Sequence, residues 1–174
     1  HQYNCLEILR DTKKLNPEVR KYLEEENSYT KEIMRDTENL QKKIFKEIEG
    51  RIKLDDESLP FKDKKYDYWT KTTKEGNYAK KLRKKIGSDK VECYFDGDLE
   101  AKGKKFFSTG DLVVSNNDEF LAFSVDDKGG EYFTIFIRRI EDNKIIDKIE
   151  DTAGGIVWSY DCLLYTSDAA DDAN

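Results

Sequence analysis

The chain has 174 residues, 39% of them charged and 37% hydrophobic, with 31 Lys and Arg against 37 Asp and Glu for a net charge of −6. That length suits one domain or a domain plus an appendage, and an aromatic share of 12% is more than a disordered chain carries. The acidic balance argues against a chain built to coat nucleic acid, and the lack of any run of about 18 apolar residues argues against a membrane-spanning helix.

Cysteine and histidine usage narrows the chemistry. Cys5, Cys93 and Cys162 form an odd set with no short spacing, so free thiols in a reducing, cytoplasmic compartment are expected rather than a disulfide framework or a zinc site. His1 is the sole histidine, which leaves almost nothing from which to build a Ser-His-Asp arrangement or a His-bearing metal site. No catalytic, cofactor-binding or metal residue is therefore assigned, and no cofactor is expected. The sole Met is Met34, and a chain that opens on His1 reads as one whose beginning is missing, which leaves any targeting segment open.

In chain order, His1 to Leu15 is a mixed stretch in which Leu6, Ile8 and Leu9 can form one helical turn. Asn16-Pro17-Glu18 is a helix start: Asn caps, Pro sits where its missing N–H costs nothing, and Glu lies in the positive first turn. Val19, Tyr22, Leu23, Tyr29 and Ile33 then recur at helical spacing and predict an amphipathic helix to about Arg35. Asp36-Thr37 reads as a break and a new cap, and Leu40, Ile44, Phe45, Ile48 and Ile52 line a second helix ending near Lys53, weakened by Gly50. The pair predicts a helical hairpin, and the Glu24-Glu25-Glu26 run on it reads as a solvated face.

From Leu54 the pattern is extended. Tyr66 to Thr72 and Tyr78 to Ile86 are partner strands around a Lys74-Glu75-Gly76-Asn77 turn, and Val91 to Phe95 follows Gly87-Ser88-Asp89. The run Lys80-Lys81-Leu82-Arg83-Lys84-Lys85 resembles a nucleic-acid contact with Tyr66, Tyr68 and Trp69 as stacking platforms, but strand alternation splits its charges between two faces. Asp96 to Gly110 reads as a loop, with Phe106 and Phe107 as core anchors. Its glycines match no phosphate-binding pattern.

The next segment contains a repeat. Strands are expected over Leu112 to Ser115, Phe120 to Val125, Tyr132 to Arg138 and Lys144 to Ile149, with turn chemistry at Asn116-Asn117-Asp118, Asp126 to Gly130 and Glu141-Asp142-Asn143. The opening Val113-Val114-Ser115-Asn116 returns as Val157-Trp158-Ser159-Tyr160, with Ser115 and Ser159 44 residues apart. A period of roughly 40–45 residues is that of four-stranded propeller blades.

Taken together, Asn16 to Asn27 with Tyr29-Thr30, Gly50-Arg51-Ile52-Lys53 with Asp56, Ser58 and Pro60, Phe106-Phe107-x-x-Gly110, Ser124-Val125-Asp126, Gly129, Tyr132-x-Thr134 and Gly154-Gly155-Ile156-Val157-Trp158-Ser159 resemble the N-terminal region of the prolyl oligopeptidase family of serine peptidases, on its oligopeptidase B branch. The resemblance runs from about Asn16 to Asp161. It implies an N-terminal helical extension at 1–53 and the first blades of an incomplete seven-bladed antiparallel propeller at 54–161, an α+β chain overall. It further implies a parent that hydrolyses short peptides after Arg or Lys, with the propeller gating substrates by size and a hydrolase domain and remaining blades as its partners. No G-x-S-x-G nucleophile elbow occurs in the sequence, so this fragment alone is expected to be inactive. Cys162 to Asp171 departs from the family and resembles a translated sequencing adapter, so 162–174 is read as a non-native tail. The alternative is a non-catalytic propeller module that binds peptides, with neither nucleic acid nor membrane as a partner.

Overall fold

The computed structural model describes residues 16–161 and 164–166, so the expectations placed on 1–15, 162–163 and 167–174, including Cys5 and Cys162, lie outside the described residues. The chain divides into two units, one ending at Lys53 and the other beginning at Leu54.

In the first unit, α1 spans Pro17–Met34. Asn16 caps it as its side chain predicts: Oδ1 accepts from the Glu18 N–H at 2.8 Å, with Pro17 at the first helical position. A 3₁₀ turn at Arg35–Thr37 leads into α2, Glu38–Glu49. The expected second cap at Thr37 does not form. Its hydroxyl turns back to donate to the Met34 carbonyl at 2.6 Å and accepts from Gln41 Nε2 at 2.8 Å, while the backbone stays helical. The last turn after Gly50 tightens, with Arg51 and Ile52 donating to Ile48 and Glu49, so α2 ends before Lys53. No residue of either helix is buried; Tyr29 and Phe45 are 63% and 66% exposed. The apolar stripes are present, but the unit does not close them against each other.

The second unit is a pair of antiparallel meanders. Strands β1 (Asp56–Glu57) and β2 (Phe61–Asp63) both pair with β3 (Tyr66–Thr72), which continues through β4 (Lys80–Lys85) to β5 (Val91–Asp96). The second sheet runs β6 (Ser108–Val114), β7 (Phe120–Asp126), β8 (Phe133–Arg139) and β9 (Ile145–Thr152) in sequence order. A short ribbon, β10 (Val157–Trp158) with β11 (Leu164–Tyr165), follows.

The expected loop at Asp96 to Gly110 instead holds a short helix, α3, at Gly97–Ala101. Asp96 starts it by accepting from the Asp98 and Leu99 N–H groups at 3.1 and 3.3 Å. Gly97 is required there because a Cβ would meet the Tyr78 Cβ at 2.6 Å. Phe107 is a core anchor, whereas Phe106 is 45% exposed and corrects the expectation that both are buried.

Strand β7 is buried on both faces from Leu121 to Asp126. On one side Leu121, Phe123 and Val125 join Tyr68, Tyr94, Phe95 and Phe107, with the Phe95 and Phe123 rings edge to face at 5.2 Å. On the other, Ala122 packs with Ile135 and Ile156, flanked by Val113 and Trp158. The repeat seen in the sequence is physical: Ile156 N–H donates to Asp111 Oδ2 (2.9 Å), Trp158 Nε1 to the Val113 carbonyl (3.0 Å) and Asn116 Nδ2 to the Ser159 carbonyl (2.7 Å). The second copy of the repeat lies directly against the first.

Phe123→Ala is expected to destabilise the second unit by about 3–5 kcal/mol, because the cavity it leaves is walled by rigid rings. Phe106→Ala is expected to stay within about 0.5 kcal/mol of the parent. Urea unfolding followed by Trp69 and Trp158 fluorescence reads both.

Candidate functional site

The sheets meet along a polar seam that the sequence did not single out. Along β4 the residue that disappears is Arg83 rather than Leu82: Arg83 is 5% exposed while Leu82 is half-buried. Its guanidinium lies over the Tyr66 ring at 4.2 Å, Nε donates to Glu92 Oε2 at 3.1 Å on the adjacent strand β5, and Nη1 crosses to the second sheet to donate to the Asp118 carbonyl at 2.9 Å. A planar donor fork can satisfy all three at once, which a lysine could not.

Asp118 comes from the β6–β7 turn, where its N–H donates to the Ser115 carbonyl at 3.0 Å and its own φ is 67°. Asp tolerates this left-handed conformation better than a β-branched residue would. The side chain is carried inward, 6% exposed, with Oδ1 3.5 Å from the Tyr68 hydroxyl. Lys64 Nζ adds a further tie by donating to the Ser115 carbonyl at 3.2 Å. Beside the seam opens a cleft of about 700 Å³, with Tyr66, Arg83, Asp118, Glu119, Arg139 and Glu141 among its walls.

Burial holds the protons of two tyrosines. The Tyr68 hydroxyl is pushed up to about 12, chiefly by burial and then by the Asp118 charge. Tyr94 is likewise pushed up to about 12, by burial first and the neighbouring Tyr68 second. At the far end of β7, burial alone would raise the Asp126 carboxyl, but the Lys128, Gly129 and Glu131 amides donate to it at 2.8, 2.8 and 2.9 Å and bring it below its ordinary value.

Other features singled out in the sequence resolve as structure. Glu24 and Glu25 lie exposed near Arg20 and Lys21 at 3.9 and 3.8 Å. In the basic run, Lys80 pairs with Asp96 at 2.6 Å and Lys81 donates to Thr70 Oγ1 at 3.0 Å, Arg83 is buried in the seam and Tyr68 is buried, so three of the run's five cations are engaged within the second unit while Lys85 is exposed. Cys93 is a free, exposed thiol. Among the described residues no group of three or more His, Cys, Asp or Glu is placed to hold a metal ion, and no helix is long and apolar enough to cross a membrane. The seam does not contain the parts of a nucleophilic centre; it fastens two sheets together.

Raised tyrosine pKa values make stability pH-dependent in a defined direction. Unfolded tyrosines ionise near 10, whereas Tyr68 and Tyr94 hold their protons to about 12. The contribution is complete below about 10 and is lost as pH rises toward about 12. The urea midpoint is expected to fall over that window, and Tyr68→Phe is expected to shallow the fall. An equally steep fall in the variant would show that Tyr68 does not titrate as described.

A family model described as prolyl oligopeptidase, N-terminal beta-propeller domain, matches residues 6–174. Dipeptidyl aminopeptidase BI of Pseudoxanthomonas mexicana is 28% identical over 170 residues, covering 88% of this chain and 24% of that protein. The structure of oligopeptidase B from Leishmania major superposes with a TM-score of 0.77 at 31% identity, covering 86% of this chain and 22% of that one. A prolyl endopeptidase structure has a TM-score of 0.67 at 19% identity over 88% of this chain and 23% of its own, a likeness of fold alone. The chain thus spans about a quarter of the length of the relatives it matches.

Proposed function

The chain belongs to the prolyl oligopeptidase N-terminal β-propeller family, and we propose that it is the opening part of a serine-type oligopeptidase that cuts short peptides after Arg or Lys. The observation that carries this reading is the joint likeness, in sequence and in fold, to oligopeptidase B. In this reading 1–53 is the helical extension, 54–161 supplies the first blades, and 162–174 is foreign to the gene. Blades stacked face to face, as the Ile156 and Trp158 segment stacks on Ala122 and Ile135 with the Trp158 indole donating to the Val113 carbonyl, form a wall. A wall of this kind admits extended peptides and rejects folded proteins. The chemistry itself belongs to a hydrolase domain, because these 174 residues contain no G-x-S-x-G elbow.

The test is to recover the coding sequence that continues past Asp161, express the whole protein and assay peptides with Arg, Lys or Pro before the scissile bond. Further blades followed by G-x-S-x-G, and a kcat/KM for Arg and Lys about a hundredfold or more above that for Pro, are expected. The 174-residue chain alone is expected to cut none of them, and a folded protein carrying the same cleavage sequence is expected to stay intact. A native stop soon after Asp161 would replace this reading with a non-catalytic peptide-binding module. A preference for Pro would move the parent to the prolyl endopeptidase branch.

A further inference from the structure

Lys and Arg make up 31 of the 174 residues, yet the turns that carry them in the second unit are tied down. The Lys74, Lys90, Lys128 and Lys144 amides donate to the side chains of Asp55, Ser88, Asp126 and Asp142, at 2.9, 3.1, 2.8 and 3.2 Å. Those of Lys102 and Lys104 donate to the Leu99 and Ala101 carbonyls at 3.3 and 3.0 Å. Lys105 is followed, two residues on, by the buried Phe107. A peptidase has to draw residues on each side of the scissile bond into an extended conformation, so each of these ties protects the bond beside it.

The chain around Lys53 is held differently. From Gly50 to Asp55 it is neither helix nor strand, and every residue of the segment is exposed. Helix α2 ends its hold at the Ile52 amide, which donates to the Glu49 carbonyl at 3.1 Å, and the first sheet begins its own with the Asp55 carboxylate and the short strand β1. Between them, Leu54 makes no hydrogen bond among the described residues. Arg51, the other basic residue of the segment, is less available: its amide donates to the Ile48 carbonyl at 3.1 Å and its guanidinium pairs with Glu47 at 2.5 Å. A break after Lys53 also opens no core. Helices α1 and α2 bury no residue, and both apolar clusters of the second unit are drawn from Tyr66 onward.

We propose that the Lys53–Leu54 bond is a processing site for a peptidase that cuts after basic residues, detaching the helical unit and leaving the sheet unit folded. Water adds across the bond, leaving a carboxylate on Lys53 and an amine on Leu54. The inference does not rest on the peptidase reading of the parent, since the cut is made on this chain and not by it.

Dilute trypsin, which cuts after Lys and Arg, is added to the 174-residue chain, and the products are followed by intact mass spectrometry. Within residues 16–161 the first cut is expected after Lys53, about tenfold or more faster than at any other basic residue, since each tie that must open elsewhere lowers the population a peptidase can engage. The 54–174 product is expected to persist with the Trp69 and Trp158 emission of the uncut chain. Lys53→Gln changes only an exposed position and is expected to slow the first cut within 16–161 about tenfold. A first cut after another basic residue of 16–161, an unchanged rate in Lys53→Gln, or loss of the tryptophan emission with the cut would each overturn the proposal. Hydrolysis of added peptides is not read, so this outcome and the outcome of the cleavage assay are independent.

Discussion

Strand β7 sets the terms for the rest of the second unit, because it cannot be wet on either face. Leu121, Phe123 and Val125 point one way and Ala122 and Ser124 the other, and all are buried. A sheet in this position must be covered twice. The first sheet supplies one cover through Phe95, Tyr68 and Tyr94, and the segment around Ile156 and Trp158 begins the other. On that second side the approach is so close that side chains become a problem. A Cβ at Gly154, whose φ is 88°, would stand 2.8 Å from the Phe133 ring, and its carbonyl takes the Ser124 hydroxyl at 2.8 Å. Ser124 is thus a buried polar residue with its partner built in.

Apolar stacking brings the sheets together without choosing their register, since a ring pair tolerates sliding. The polar contacts make the choice. Arg83 reaching the Asp118 carbonyl, Lys64 reaching the Ser115 carbonyl, and Arg138 meeting Glu100 at 2.5 Å while its guanidinium covers Phe123 are each directional and each cross between segments distant in sequence. Helix α3 has a purpose in this scheme, because it presents Glu100 to Arg138, which is 9% exposed. Buried charges of this sort add little net stability against an apolar substitute, but they penalise every misaligned stacking.

How much of this was legible in the sequence follows from the range of each signal. Strand β3 was readable to the residue, and β7 and β8 to within one, because alternation and turn residues are local signals. The 44-residue return of Val-x-Ser was readable because a repeat carries its long-range contact in the sequence itself, and Asp111, Val113 and Asn116 do meet the second copy, at Ile156, Trp158 and Ser159. The seam was not readable. Arg83 looked like one cation in a basic run and Asp118 like one turn residue, and their meeting, 35 positions apart, has no local pattern. Helix α3 was hidden for a related reason: Gly97 looks like a breaker, and only the proximity of Tyr78 explains it. Phe106 and Phe107 are identical as neighbours in sequence, yet one is inside and the other is not, because only Phe107 meets Tyr78, edge to face at 5.0 Å.

The helical unit follows the opposite logic. Its periodicity and its Asn16 cap were plain in the sequence, and the helices form where they were expected. Helices of 18 and 12 residues that bury nothing are marginal in water, since propagation barely offsets the cost of nucleation. The Asn16 cap contributes about 1 kcal/mol and each i,i+4 pair along α1 a few tenths of a kcal/mol, against about 1–2 kcal/mol of backbone entropy lost by every residue ordered. Local signals therefore specify the conformation of this unit without supplying its stability. That has to come from covering Tyr22, Tyr29, Ile33, Ile44, Phe45 and Ile48, all about half exposed or more. In the sheet unit the relation is reversed: tertiary burial supplies the stability, and the hydrogen bonds crossing the seam supply the specificity.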